Sequence, residues 1–108
     1  AKPVLVATVR HDRVLARTSH LPYLLSCALV RSAVSEGITP AELRLLSAGG
    51  WRDMTRLALS NPKMAGGYVK ANADEVSLAL NALRKALAGF DLRALRESQA
   101  LARHVRRP

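Results

Sequence analysis

Aromatic side chains are nearly missing from this chain: Trp51, Tyr23, Tyr68 and Phe90 are the whole set in 108 residues. Sheets draw on aromatic and β-branched residues, so this scarcity beside abundant Ala and Leu argues against a β-rich fold and for helices. Cysteine is reduced to Cys27, which leaves no internal disulfide. It sits in an apolar run and reads as a buried, inert thiol, in keeping with a reducing, cytoplasmic setting. No apolar run reaches the length that spans a bilayer, so no membrane partner is expected. Glycine-rich phosphate loops, CxxC and HExxH are all missing, and His11, His20 and His104 lack metal-ligand spacing. The reading therefore expects no metal site. Without a dinucleotide fingerprint, this stretch by itself is not a complete nicotinamide enzyme.

Acidic residues are also few, 8 against 17 Lys and Arg, for a net charge of +9. Such an excess raises the question of nucleic acid. The arginines are spread along the whole chain, however, and no aromatics are interleaved with them to stack bases. Nucleic acid is accordingly not the expected partner. A small anionic substrate would engage one or two arginines.

What is present reads as helices. Residues 1–8 are apolar and extended in character, like a linker or strand tail arriving from an upstream domain, with the helical domain on 9–108. From Thr8, residues His11, Val14, Thr18, Leu21, Leu25 and Ala28 fall on one helical stripe. Pro22 interrupts it, removing a backbone donor and pushing Leu21 from helical angles, so a kink or break is expected around Ser19–Tyr23. The next helix should end at Gly37. Thr39-Pro40-Ala41-Glu42 is a capping box with proline at the first helical position, starting a short helix through Leu46. Asn61-Pro62 caps a long helix whose apolar stripe runs through Ala65, Val69, Ala73, Val76, Leu80, Leu83 and Leu87, with Ala79, Ala82 and Ala86 as a small-residue edge. Gly89 ends it. Asp91 caps a last helix with Leu92, Leu95, Ala102 and Val105 facing inward. Two long stripes make more apolar face than one small domain covers, which predicts an all-α domain that homodimerises through its long helices.

Between these helices lies Gly49-Gly50-Trp51-Arg52-Asp53-Met54-Thr55-Arg56-Leu57-Ala58. The glycines let a ligand approach the backbone at a helix start. Arg52 and Arg56, four residues apart, share a helix face, and arginine is the side chain best shaped to grip a carboxylate. The plain alternative is a solvated basic face, with Arg52 paired to Asp53 or another acid.

That stretch, with His11-Asp12-Arg13 and Ser19-His20-Leu21-Pro22 before it, occurs in this order and at these separations in prephenate dehydrogenases. The chain resembles their C-terminal helical domain over most of residues 1–90. The resemblance implies an upstream Rossmann domain that binds NAD or NADP and carries the histidine that accepts the hydroxyl proton. No catalytic residue is then expected in this chain, and residues 1–108 alone should be inactive. It implies oxidative decarboxylation of prephenate, or of arogenate, on the tyrosine pathway. Arg56 matches the arginine that grips a substrate carboxylate, Arg52 a commonly basic position at the site mouth, and His20 the first histidine of a Ser-His-Leu-Pro-His pattern. Gly50 and Thr55, in the same motif, complete the candidate set. Three positions depart from the family. Tyr23 replaces the second histidine, Trp51 a more usual Phe, and Ala65-Gly66-Gly67 a stretch where many relatives carry Trp. The competing readings are the helical half of another two-domain dehydrogenase with an anionic substrate, and a basic helical module for nucleic acid or protein.

Overall fold

The computed structural model describes the backbone of residues 2–107 and the side chains of 8–107. It is all-α, with no strand among the described residues. Helices α1 (Lys2–Leu15) and α2 (Leu21–Ser35) are joined by a π-helical turn, Ala16–His20. Short helices α3 (Pro40–Leu46) and α4 (Gly49–Thr55) follow, then a 3-10 turn, Arg56–Leu59. Helices α5 (Pro62–Ala71), α6 (Ala73–Leu87) and α7 (Leu92–Val105) complete the chain.

Local chemistry sets most of these boundaries. Gly37 and Gly89 take positive φ, 78° and 68°, and stop α2 and α6 where a side chain would be strained. The capping box closes as expected: Glu42 N–H donates to Thr39 Oγ1 at 3.1 Å, and Thr39 N–H to Glu42 Oε1 at 3.0 Å. These bonds hold the Glu42 carboxyl below the ordinary glutamate range, the Thr39 backbone bond being the larger cause. Asn61 Oδ1 accepts from the amides of Lys63 and Met64, and Asp91 Oδ1 from that of Ala94, so α5 and α7 start at the expected caps.

Three expectations are corrected. Residues 2–8 are not extended but lie in α1. Alanine, valine and leucine adopt a helix readily once a long helix continues beyond them. Pro22 does not break the chain, and Leu21 keeps helical angles, φ −64° and ψ −44°. Instead the Leu21 amide bonds to the Ala16 carbonyl five residues back. A π-turn absorbs the register change where proline withholds its donor. The extra residue also rotates α1 against α2, by roughly 100° of helical phase. Val14 is consequently 47% exposed, while Ala16, off the expected stripe, is fully buried. The third correction is Asn72, which divides the expected long helix in two at φ −116° and ψ 31°. Its amide is shared between the Tyr68 and Val69 carbonyls, while its own carbonyl accepts from Val76.

The core is small. Ala16 and Leu21 meet Val76 and Ala79, with Leu24, Leu25, Val69, Leu80 and Leu83 packed around them. Ala16 and Ala79 place two small side chains where the π-turn and α6 meet, the close approach that the alanine edge anticipated. The two long stripes meet only around this junction: Val14 and Leu87, on the same stripes, are 47% and 55% exposed. Arg13 and Arg17 brace the same junction, 3.4 and 3.6 Å from Glu75 Oε1. Ser26, 1% exposed, accepts the Ala58 amide at 2.9 Å and ties α2 to the 3-10 turn.

Much apolar surface is left over elsewhere. Helix α7 has no buried residue, and Leu92, Leu95 and Val105, expected inward, are 61%, 55% and 75% exposed. Leu45, Leu46 and Leu59 are more than four-fifths exposed. The radius of gyration is 16.4 Å, against about 13 Å for a compact chain of this length. Accessible surface totals 8990 Å², on the order of 3,000 Å² above a compact monomer of this mass. This is the geometry of a domain that finishes its core against another surface.

Candidate functional site

A cavity of about 250 Å³ opens where the π-turn, the 3-10 turn and α5 converge. Ser19, His20 and Tyr23 form one wall. Leu57, Ser60 and Asn61 form a second, and Met64, Ala65, Tyr68 and Val69 the third. The lining is mainly apolar with a few polar groups, the usual make-up of a small-molecule site.

Of the five candidate residues, only His20 lines this cavity. It ends the π-turn and is half-buried. Its Nδ1 lies 3.3 Å from Asn72 Nδ2, which also donates to the Asp12 carbonyl at 2.8 Å. Asn72 stands behind the histidine, outside the cavity, in a separate surface depression with Asp12, Asp74 and Glu75.

Arg56 opens the 3-10 turn directly before the cavity residue Leu57 and is exposed. Arg52 is exposed one helical turn earlier, on α4. No ion pair of either arginine occurs among the described residues, and Arg52 is not paired with Asp53. Neither guanidinium group is engaged by an acid among the described residues. Thr55 is half-buried and donates its hydroxyl to the Trp51 carbonyl at 2.7 Å, so it serves its own helix. Gly50 is exposed, and a Cβ there would meet nothing within 4 Å.

Two of the family departures meet in the cavity: Tyr23 faces it from α2 and Ala65 from α5. A hydrogen bond with Cys27, one turn along α2, pushes the Tyr23 phenol above the ordinary tyrosine range, with burial as a smaller cause. The wall is therefore an un-ionised phenol at neutral pH. Cys27 is half-buried, more open than expected.

Asn72 is the residue that sequence reasoning missed. A polar amide between Val69 and Val76, in an otherwise apolar helical stripe, was the available signal. The remaining sequence motifs acquire structural roles. Asp12 and Arg13 of His11-Asp12-Arg13 bind Asn72 and Glu75, and Ala58 at the end of the glycine–arginine stretch is held by Ser26.

Fold and site together define a helical domain with a mainly apolar cavity between its π-turn and α5 and an unfinished apolar surface on α7. Residues 7–103 match the family model of the prephenate dehydrogenase dimerization domain. The chain belongs to that family. It is 34% identical over 107 residues to the cyclohexadienyl dehydrogenase of Zymomonas mobilis, covering 88% of this chain and 36% of the relative. The prephenate dehydrogenase of Lactococcus lactis is 30% identical over 94 residues, covering 74% and 27%. A solved Corynebacterium glutamicum structure, described as a candidate prephenate dehydrogenase, superposes with TM-score 0.66 at 27% identity, over 91% of this chain and 34% of that one. The chain thus spans about a third or less of the length of these relatives. No helix among the described residues is long and apolar enough to cross a membrane.

Proposed function

We propose that this chain is the substrate-binding and homodimerising part of an NAD(P)-dependent dehydrogenase of the tyrosine pathway. The reaction is oxidative decarboxylation of prephenate to 4-hydroxyphenylpyruvate. Hydride leaves the ring carbon that bears the hydroxyl, carbon dioxide departs, and aromatisation drives the change forward. The observation that carries the reading is the cavity itself. In a chain of this family, His20, Tyr23 and Ala65 converge on one small chamber, and Arg56 directly precedes its lining residue Leu57.

In this reading His20 donates a hydrogen bond to the bound acid, and Arg56 grips a carboxylate as the site closes. Arg52 stands at the mouth. Gly50 and Thr55 shape the helix that presents both arginines. The described residues contain no strand and no glycine-rich strand-to-helix turn. Cofactor binding, NAD or NADP, and the proton-accepting base are assigned to the rest of the polypeptide.

The test is an assay of the complete polypeptide with prephenate and arogenate, each with NAD and NADP. Both cyclohexadiene acids are included because one relative bears the broader cyclohexadienyl name. Substrate-dependent cofactor reduction is expected from the complete polypeptide and none from residues 1–108 alone. No reduction with any of the four combinations overturns the reading.

A further inference from the structure

We infer that Asn72 is a positioning residue that fixes the tautomer of His20, placing the ring proton on Nε2 and aiming that donor at an acceptor oxygen in the cavity. The inference builds on the functional reading above but stands on its own geometry. The Asp12 carbonyl can only accept a hydrogen bond, so the group 2.8 Å from it must be the Asn72 amide nitrogen. Turning the amide over would set two oxygens against each other at that distance. The same nitrogen lies 3.3 Å from His20 Nδ1. It carries two hydrogens, one for each neighbour. Nδ1 must then accept, and the proton of the neutral ring resides on Nε2.

The placement of Asn72 gives this bond its direction. Asn72 is outside the cavity lining and His20 is within it. With Nδ1 engaged by Asn72, Nε2 is the ring nitrogen left to serve a ligand in the cavity that His20 lines. Both ends of the arrangement are anchored. Asp12 precedes the π-turn and His20 ends it, so one side chain from the α5–α6 break spans the whole turn. A second-layer group that orients an imidazole in this way sets what the ring can offer a ligand. The ligand atom it selects is an acceptor, such as a carboxylate, carbonyl or hydroxyl oxygen.

The experiment uses the complete polypeptide with histidine-selective ¹⁵N labelling, the His20 signals being assigned by loss in His20→Gln. Long-range ¹H–¹⁵N correlations should show a pyridine-type Nδ1 and a pyrrole-type Nε2. In Asn72→Asp the carboxylate accepts from Nδ1–H, and the pattern should reverse. Asn72→Ser withdraws the amide with little change of backbone preference and should release the ring to a mixture of tautomers, which serves if the aspartate variant does not fold. A pyrrole-type Nδ1 in the parent protein, or an unchanged pattern in a folded Asn72 variant, overturns the inference. A merely structural asparagine would not move these signals. In kinetics, Asn72→Ser should raise KM for prephenate by about tenfold with a smaller change in kcat, and should add little to His20→Gln in the double variant. Tautomers that respond as stated with KM unmoved uphold the role of Asn72 and count against the cavity as the substrate site.

Discussion

Ser26 and Ala58 are 32 residues apart in sequence, yet the Ser26 hydroxyl accepts the Ala58 amide at 2.9 Å. This bond attaches the 3-10 turn, and with it Arg56 and Leu57, to α2. Ser26→Ala would leave that amide without its partner, at a cost of about 1–3 kcal/mol. A lower urea midpoint is expected, together with faster hydrogen exchange at Ala58. Unchanged exchange at that amide would show the bond to be dispensable.

Arg56→Ala in the complete polypeptide should raise KM for prephenate steeply, on the order of 30- to 1,000-fold, with a smaller effect on kcat. A carboxylate held in ground and transition states alike contributes mainly to binding. Arg56→Lys should recover only part, because an ammonium lacks the two-pronged geometry of the guanidinium. Arg52→Ala should cost less, about tenfold, because Arg52 is exposed and solvent screens its charge. The reverse order of severity would exchange the roles of the two arginines.

Assembly is expected to use α7 as well as the long helices. A homodimer burying on the order of 2,000 Å² or more in total, about 1,000 Å² per chain, would cover part of the excess surface. Leu95→Glu with Leu101→Glu places charges on residues 55% and 63% exposed in the single chain. Sedimentation should show a shift towards monomer. Leu80→Glu or Leu83→Glu, beside the core, should unfold the domain outright. An unaltered dimer in the α7 double variant would move the interface elsewhere.

The capping box should leave a pH signature. The folded state holds the Glu42 carboxyl below its ordinary range, so its contribution is present above the unfolded glutamate pKa and fades as pH falls through the lower, folded value. The Thr39 amide shift should therefore titrate below the ordinary glutamate range. In Thr39→Ala that midpoint should return upwards. Equal midpoints in the two proteins would mean that the Thr39 hydroxyl adds nothing to the shift, since Thr39→Ala keeps the backbone amide that is its larger cause.

The elements legible in the sequence are those whose cause is local. Thr39 with Glu42, Asn61, Asp91, and the glycines at 37 and 89 each act within a few residues, and each appears where expected. The break at Asn72 has distant causes. Asn72 is drawn out of the helix by Asp12 and His20, 60 and 52 residues away, and no window of neighbouring residues contains that information. The same division holds at the site. His20, Tyr23 and Ala65 stood out through the family pattern and meet in one cavity, whereas Asn72 became visible only through its bonds. The exposed face of α7 shows the remaining gap, since its apolar stripe gives the face to be covered but not the surface that covers it.

The π-turn sets a phase relation as well as a shape. Everything before Ala16 is rotated against everything after His20 by the one residue that the turn accommodates. Deleting a single residue between 16 and 20 would remove that extra residue and turn α1 back against α2. It would also swing Arg13 away from Glu75 and the Asp12 carbonyl away from Asn72, while Ala16 would leave its seat beside Ala79. Alignment of these distant partners thus depends on a count, and the irregular turn is where the chain keeps it.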